Sequence, residues 1–200
     1  MKFVVVIATL LSFTVVVSTP LASADEITHT YTAGEEVVVY ANKMGPFNNP
    51  LETYAYFELP MCPPDNWDHK MPSIGQALAG DELYKMHMNI RYGTDSTETA
   101  ICTMKPTEVE IARWKTMIEQ QYWYQLYADD LPMWATFGKM INGVPHIHTQ
   151  QKFSFGMNGN QIVQANLIAS EPVDITTEKS FSFTYSVTFV KSELPFAKRL

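Results

Sequence analysis

Between residues 180 and 190 (SFSFTYSVTFV), large apolar side chains and hydroxyl side chains alternate without interruption. Phe181, Phe183, Tyr185, Val187 and Phe189 fall on one side of an extended chain, and Ser182, Thr184, Ser186 and Thr188 on the other. No helical register gathers those five on one face, so the segment predicts a strand with one face in a core. A strand of this kind needs pairing partners, and the rest of the sequence supplies them. Residues 35–41 (EEVVVYA) and 52–59 (ETYAYFEL) have β-branched and aromatic strand character, separated by a turn-rich stretch, 42–50 (NKMGPFNNP), expected to be a loop. Residues 85–92 place Met86, Met88 and Ile90 on one side. Residues 122–127, 134–141, 151–157 and 161–168 also read as extended, with Asn142-Gly143 and Asn158-Gly159 as tight-turn signals.

One helix stands out, over about 107–122. Thr107 and Glu110 form a capping box, and Ile111, Trp114, Ile118 and Tyr122 recur at helical spacing as its buried face. Residues 73–79 suit one or two further helical turns, ended by Gly80. The expected fold is mainly β: an antiparallel β-sandwich with one α-helix inserted, α+β in character.

The N-terminus restricts where this fold forms. Lys2 precedes an uncharged apolar run, 3–17, and Ala22-Ser23-Ala24 offers small residues for cleavage between Ala24 and Asp25. Residues 1–24 are therefore expected to be a cleaved signal peptide, with 25–200 as a single exported domain. The alternative, a membrane anchor, would need a longer apolar run, roughly 20 residues. In an oxidising compartment the two cysteines, Cys62 and Cys102, read as one disulfide; the other reading is a pair of buried thiols. A bond closing a loop of about 41 residues is worth on the order of 4 kcal/mol.

The formal charge is −7, and loss of Lys2 makes the exported chain one unit more negative. An acidic domain repels phosphate backbones, which disfavours nucleic acid as a partner. Asp65, Asp68 and His69 could form an acid–base cluster, but the same residues describe a surface loop. His146 and His148 would aim from one side of a strand, yet two ligands are too few for a metal site. Asp129-Asp130 reads as a turn, too poor in oxygen ligands for calcium. No nucleophile elbow, phosphate-binding loop, dinucleotide fingerprint or N-glycosylation sequon is present. The expectation is no catalytic residue, no metal and no cofactor.

Several stretches, taken in order, resemble the lumenal domain of the transmembrane 9 superfamily, the nonaspanins. Residues 40–50 with 52–54 (YANKMGPFNNP, ETY) look like that family's YANKVGPFHNPSETY. Residues 73–83 (SIGQALAGDEL) are similar to SLGEVLEGDRL, and 124–138 (YQLYADDLPMWATFG) to FQMYYDDLPIWGFIG. Residues 153–166, 185–187 and 194–199 follow the family's later segments, and Cys102 falls where its second cysteine lies.

The resemblance implies a non-enzymatic lumenal module of a polytopic membrane protein of the Golgi and endosomes. It implies roles in trafficking and in localising other membrane proteins, with adhesion as a further association. Partners would be membrane proteins or cargo met on the lumenal face, with residues 124–134 the first place to look for a contact patch, although packing of these residues in the core around the Asp129-Asp130 turn is the stronger expectation. The alternative is a secreted β-sandwich that binds a small ligand or glycan. In nonaspanins a multi-spanning region follows this domain; the sequence here stops at Leu200, as a fragment, a truncated product or a lumenal domain released on its own would, and this stretch alone is expected to be soluble or secreted.

Overall fold

The computed structural model describes residues 29–63 and 67–199, whose strands form two sheets. The first sheet contains β1 (Val39–Gly45), β2 (Tyr54–Ala55), β3 (His69–Lys70), β4 (Leu83–Lys85), β6 (Trp123–Ala128) and β7 (Leu131–Thr136). Its order is β3-β4-β1-β6-β7, with β2 also paired to β1. The second sheet holds β5 (Ser96–Met104), β8 (Gly138–Ile141), β9 (Val144–Asn158), β10 (Gln161–Asp174) and β11 (Phe181–Lys191). Its order is β10-β9-β11-β5, with β8 also paired to β9. Among the described residues two α-helices, α1 (Ile74–Leu78) and α2 (Glu108–Glu119), interrupt the strands.

The alternation of residues 180–190 is realised in β11. Phe181, Phe183, Tyr185 and Val187 are buried, while Phe189 is partly covered at the strand's far end. β11 lies inside its sheet because both its edges are paired, antiparallel to β5 and parallel to β9. The parallel pair departs from the expected all-antiparallel arrangement. After the long β9–β10 hairpin the chain recrosses and enters on the side of β9 that β10 leaves open, which fixes its direction.

Helix α2 starts where its sequence says it should. The Thr107 hydroxyl accepts from the Glu110 amide, and the Glu110 carboxylate accepts from the Thr107 amide at 2.7 Å. Gln121 adopts a left-handed conformation (φ 53°) that ends the helix, so Tyr122 lies beyond it and leads into β6. The buried face is Trp114, Met117 and Ile118, with Ile111 only partly covered. Trp114 is fully buried, edge-on to Phe137, Phe181 and Phe183, and its indole N–H donates to the Pro60 carbonyl at 2.7 Å. Two residues on, Cys62 is disulfide-bonded to Cys102 of β5, with Cα atoms 6.0 Å apart. The loop before β3 is thus held to helix and sheet at adjacent points.

Residues 134–141, expected as one strand, divide between the end of β7 and the whole of β8. The chain runs along β7 in the first sheet, passes through Phe137, and continues as β8 in the second. Phe137 bonds to both sides: its N–H donates to the Tyr122 carbonyl at 2.8 Å, and its carbonyl accepts from His148 of β9 at 3.0 Å. Gly138 is required here, since a Cβ would sit 2.3 Å from the His146 carbonyl oxygen and 2.8 Å from Ile118 Cγ1. At the far end of β8, Asn142 and Gly143 (φ 50° and 80°) make the tight turn into β9. The β9–β10 turn is centred on Gly159-Asn160, one residue later than expected, because Asn158 still pairs with Gln161.

Other boundaries move for local reasons. Strand β1 begins at Val39 and takes in Asn42–Gly45, which the sequence assigned to a loop; an irregularity between Ala41 and Met44 accommodates them. In 52–59 only Tyr54–Ala55 pairs, and Tyr56–Glu58 tightens into a 3₁₀ turn that buries Tyr56. Met86, Met88 and Ile90 are buried as their alternation requires, but the backbone kinks there and leaves only Lys85 in β4. Strand β5 carries no run of large alternating apolar residues, being an edge strand with a largely polar, half-exposed surface.

Gly138→Ala is expected to cost about 2 kcal/mol of stability through overpacking against backbone, measured by denaturant unfolding. Gly75→Ala in α1, where a Cβ meets nothing within 4 Å, should be neutral or slightly stabilising. Equal effects would show that the sheet crossing tolerates a side chain.

Candidate functional site

Two polar assemblies lie where the sequence motifs converge. The first is centred on Asn42, whose side chain is buried in β1. Its amide nitrogen donates to Asp81 Oδ1 at 2.9 Å and to Gln125 Oε1 of β6 at 2.8 Å, and its Oδ1 accepts from the Glu82 amide at 3.1 Å. Lys43 donates to the same Asp81 oxygen at 2.7 Å and to the Ala79 carbonyl at 3.3 Å. Gln125 in turn donates to the Tyr127 hydroxyl at 3.2 Å. The irregular register of β1 lets consecutive residues, Asn42 and Lys43, both reach Asp81, which a regular pleat would not allow. A buried carboxylate bonded to an amide and an ammonium is a positioning element. It fastens the chain leaving α1 to the middle of the first sheet.

The second assembly is the turn between β6 and β7. Asp129 and Asp130 both adopt left-handed conformations (φ 50° and 59°), which Asp tolerates better than most residues. The Asp129 side chain is wholly buried, and its Oδ2 accepts from Arg199 Nη1 at 2.8 Å. Arg199, itself 3% exposed at the side chain, also donates to the Ile162 carbonyl at 3.1 Å and stacks over Phe196. Burial pushes the Asp129 carboxyl above its usual range, and the Arg199 guanidinium opposes that shift. Asp129 Oδ1 has no hydrogen-bond partner among the described residues. Asp130 accepts from Lys70 of β3 at 3.0 Å. One tight turn thereby holds both the C-terminal segment and the edge of the first sheet.

The residues singled out from sequence separate differently. Cys62 and Cys102 are joined, which settles the choice between disulfide and free thiols. Ala24 and Asp25 lie outside the described residues, as does Asp65. Asp68 is exposed, and His69 packs edge-on against Tyr84 at 5.3 Å, so the two form no acid–base constellation. His146 and His148 each donate an Nδ1 hydrogen to a backbone carbonyl, of Val144 at 2.9 Å and Thr136 at 3.0 Å. Burial holds the His148 imidazole below its ordinary pKa. No cluster of three or more metal-ligating side chains occurs among the described residues. Asp129-Asp130 is the turn expected, with the ion pairs as its added role. The stretch 124–134 is not a contact patch as a whole: Tyr124, Leu126, Leu131 and Met133 are core, and only Trp134 is substantially exposed.

Sequence reasoning did not single out Asn42, Asp81, Gln125 or Arg199. Each is a polar residue in an otherwise ordinary stretch, and its significance rests on contacts 39 to 83 residues away along the chain.

A family model described as EMP70, endomembrane protein 70, matches residues 53–200. The chain is 31% identical over 189 residues to "Transmembrane 9 superfamily member 2" of Arabidopsis thaliana, covering 88% of this chain and 32% of that protein. It is 35% identical over 172 residues to member 5 of the same plant, covering 80% of this chain and 29% of the relative. Against "Transmembrane 9 superfamily member 1" of Bos taurus it is 34% identical over 148 residues, 70% of this chain and 24% of the relative. The chain therefore spans about a third or less of the curated relatives it matches.

Arg199→Met strands a buried carboxylate and is expected to cost about 3 kcal/mol. Adding Asp129→Asn, which keeps a residue tolerant of the left-handed turn, should recover more than half of that loss. Additive losses in a double-mutant cycle would show that the two side chains are not energetically coupled.

Proposed function

Because the chain belongs to the endomembrane protein 70 family, the membrane proteins of the transmembrane 9 superfamily, we propose that it is a lumenal, non-enzymatic recognition module. It serves trafficking and the localisation of other membrane proteins along the Golgi–endosome route, and its partners are membrane proteins or cargo met on the lumenal side. The match over residues 53–200 carries this reading. It covers most of both sheets and runs through the disulfide, the Asp129-Asp130 turn and Arg199.

The physical build suits the role. A disulfide persists in an oxidising lumen and would be reduced in the cytosol. Both polar assemblies spend their charged groups on holding segments of the fold in place. That produces a rigid body able to present a surface, which is what recognition requires.

The test is deletion of the encoding gene in its own cells, with surface labelling of membrane proteins and rescue by the wild-type gene. A defined subset of membrane proteins should fall at the cell surface, accumulate in Golgi and endosomal membranes, and return on rescue. An unchanged surface population, with the product released freely to the medium, would overturn the reading in favour of a secreted ligand- or glycan-binding sandwich.

A further inference from the structure

The excursion from β3 to β4 is built unlike the rest of the domain. Residues 71–80 (MPSIGQALAG) hold no charged side chain, in a chain of net charge −7. Helix α1 within them buries none of its residues. Ile74 and Leu78, four apart and therefore on one helical face, are 83% and 85% exposed, and Met71 just before the helix is 83% exposed. Trp67, which leads into β3, is also mostly exposed, its ring edge-on to Phe57 and Tyr84.

This bare helix is nevertheless fixed in place. Ser73 and Gln76 form a capping box at its start. At its end Lys43 holds the Ala79 carbonyl, and Asp81 is locked to Asn42. Lys70, immediately before Met71, is paired with Asp130. The domain therefore clamps both ends of the excursion and turns its aliphatic side chains outward. Burying an Ile or Leu side chain is strongly favourable, so the face is costly to leave in water.

The chemistry of the face indicates what covers it. Met71, Ile74 and Leu78 offer only aliphatic and thioether side chains, none of them the Trp, Tyr or Arg anchors that dominate protein interfaces. The face is neutral, so it gains nothing from a charged partner. The relatives are transmembrane proteins of which this chain matches a third or less, and no helix among the described residues is long and apolar enough to span a bilayer. A domain carried by such a protein stands beside a lipid surface. We infer that Ile74, Leu78 and Met71 dip into the headgroup–acyl boundary of a zwitterionic bilayer and fix how the sandwich leans on the membrane. The inference rests on the membrane-protein reading for the nearness of a bilayer.

The test is co-flotation of the exported chain with phosphatidylcholine vesicles, and with vesicles also containing phosphatidylserine. The wild-type chain should float with phosphatidylcholine vesicles, insensitive to salt, and less well when the anionic lipid is added. Ile74→Glu/Leu78→Glu should lower the bound fraction about tenfold or more, with the unfolding midpoint unchanged because neither residue is in the core. Equal flotation of wild type and variant, or none by either, overturns the inference. So does a concentration-dependent dimer that the variant abolishes, which would make a second copy the occupant. None of these results bears on the surface-protein experiment, so the two readings fail separately.

Discussion

Two residues, Phe137 and Gly138, carry the junction on which the fold depends. A sandwich needs its two sheets held in a fixed relation, and here a single stretch of backbone belongs to both. Phe137 donates toward the chain entering β6 and accepts from β9, while its ring is buried against Trp114. Gly138 admits the β9 backbone and the Ile118 side chain at distances that exclude a Cβ. From that point the constraints spread outward. Trp114 reaches Pro60, Pro60 leads to the Cys62–Cys102 bond, and that bond closes on β5. Helix, disulfide and both sheets are thus registered to one crossing.

The polar assemblies do a second kind of work. They secure segments that the apolar core does not reach. Asn42 and Lys43 hold the end of α1 to the first sheet, and the Asp129-Asp130 turn secures Arg199 and Lys70. A buried ion pair is a weak source of net stability, because desolvation offsets most of the attraction, but it strongly disfavours any other arrangement of its partners. On the proposed reading, this fixes the orientation of the surfaces the domain presents.

Much of the architecture was legible because local pattern and tertiary role agree. The Phe-Tyr-Val stripe of β11, the Thr107–Glu110 box of α2 and the Asn142-Gly143 turn are each determined by neighbours a few residues away. The crossing at Phe137 was not legible, since a strand that changes sheets has the same alternation as one that does not. Strand β5 leaves no signature in the sequence because an edge strand needs no large apolar stripe. Asn42–Gly45 looked like a loop from its Asn, Lys and Gly content, yet pairing with β2 and β6 on either side makes it strand. The disulfide was legible from a count of two cysteines together with the expected oxidising compartment. The Asp129–Arg199 pair was not, because the 70 residues between the partners carry no trace of it.

Native-state hydrogen exchange of the Phe137 and His148 amides tests the central claim most directly, read together with amides of β6 in the first sheet and β11 in the second. If the shared strand unites the sheets, all four positions should exchange through one opening, with the same free energy as global unfolding. Protection of β11 persisting while β6, Phe137 and His148 exchange by a separate lower-energy opening would contradict the account and make the two sheets independent units.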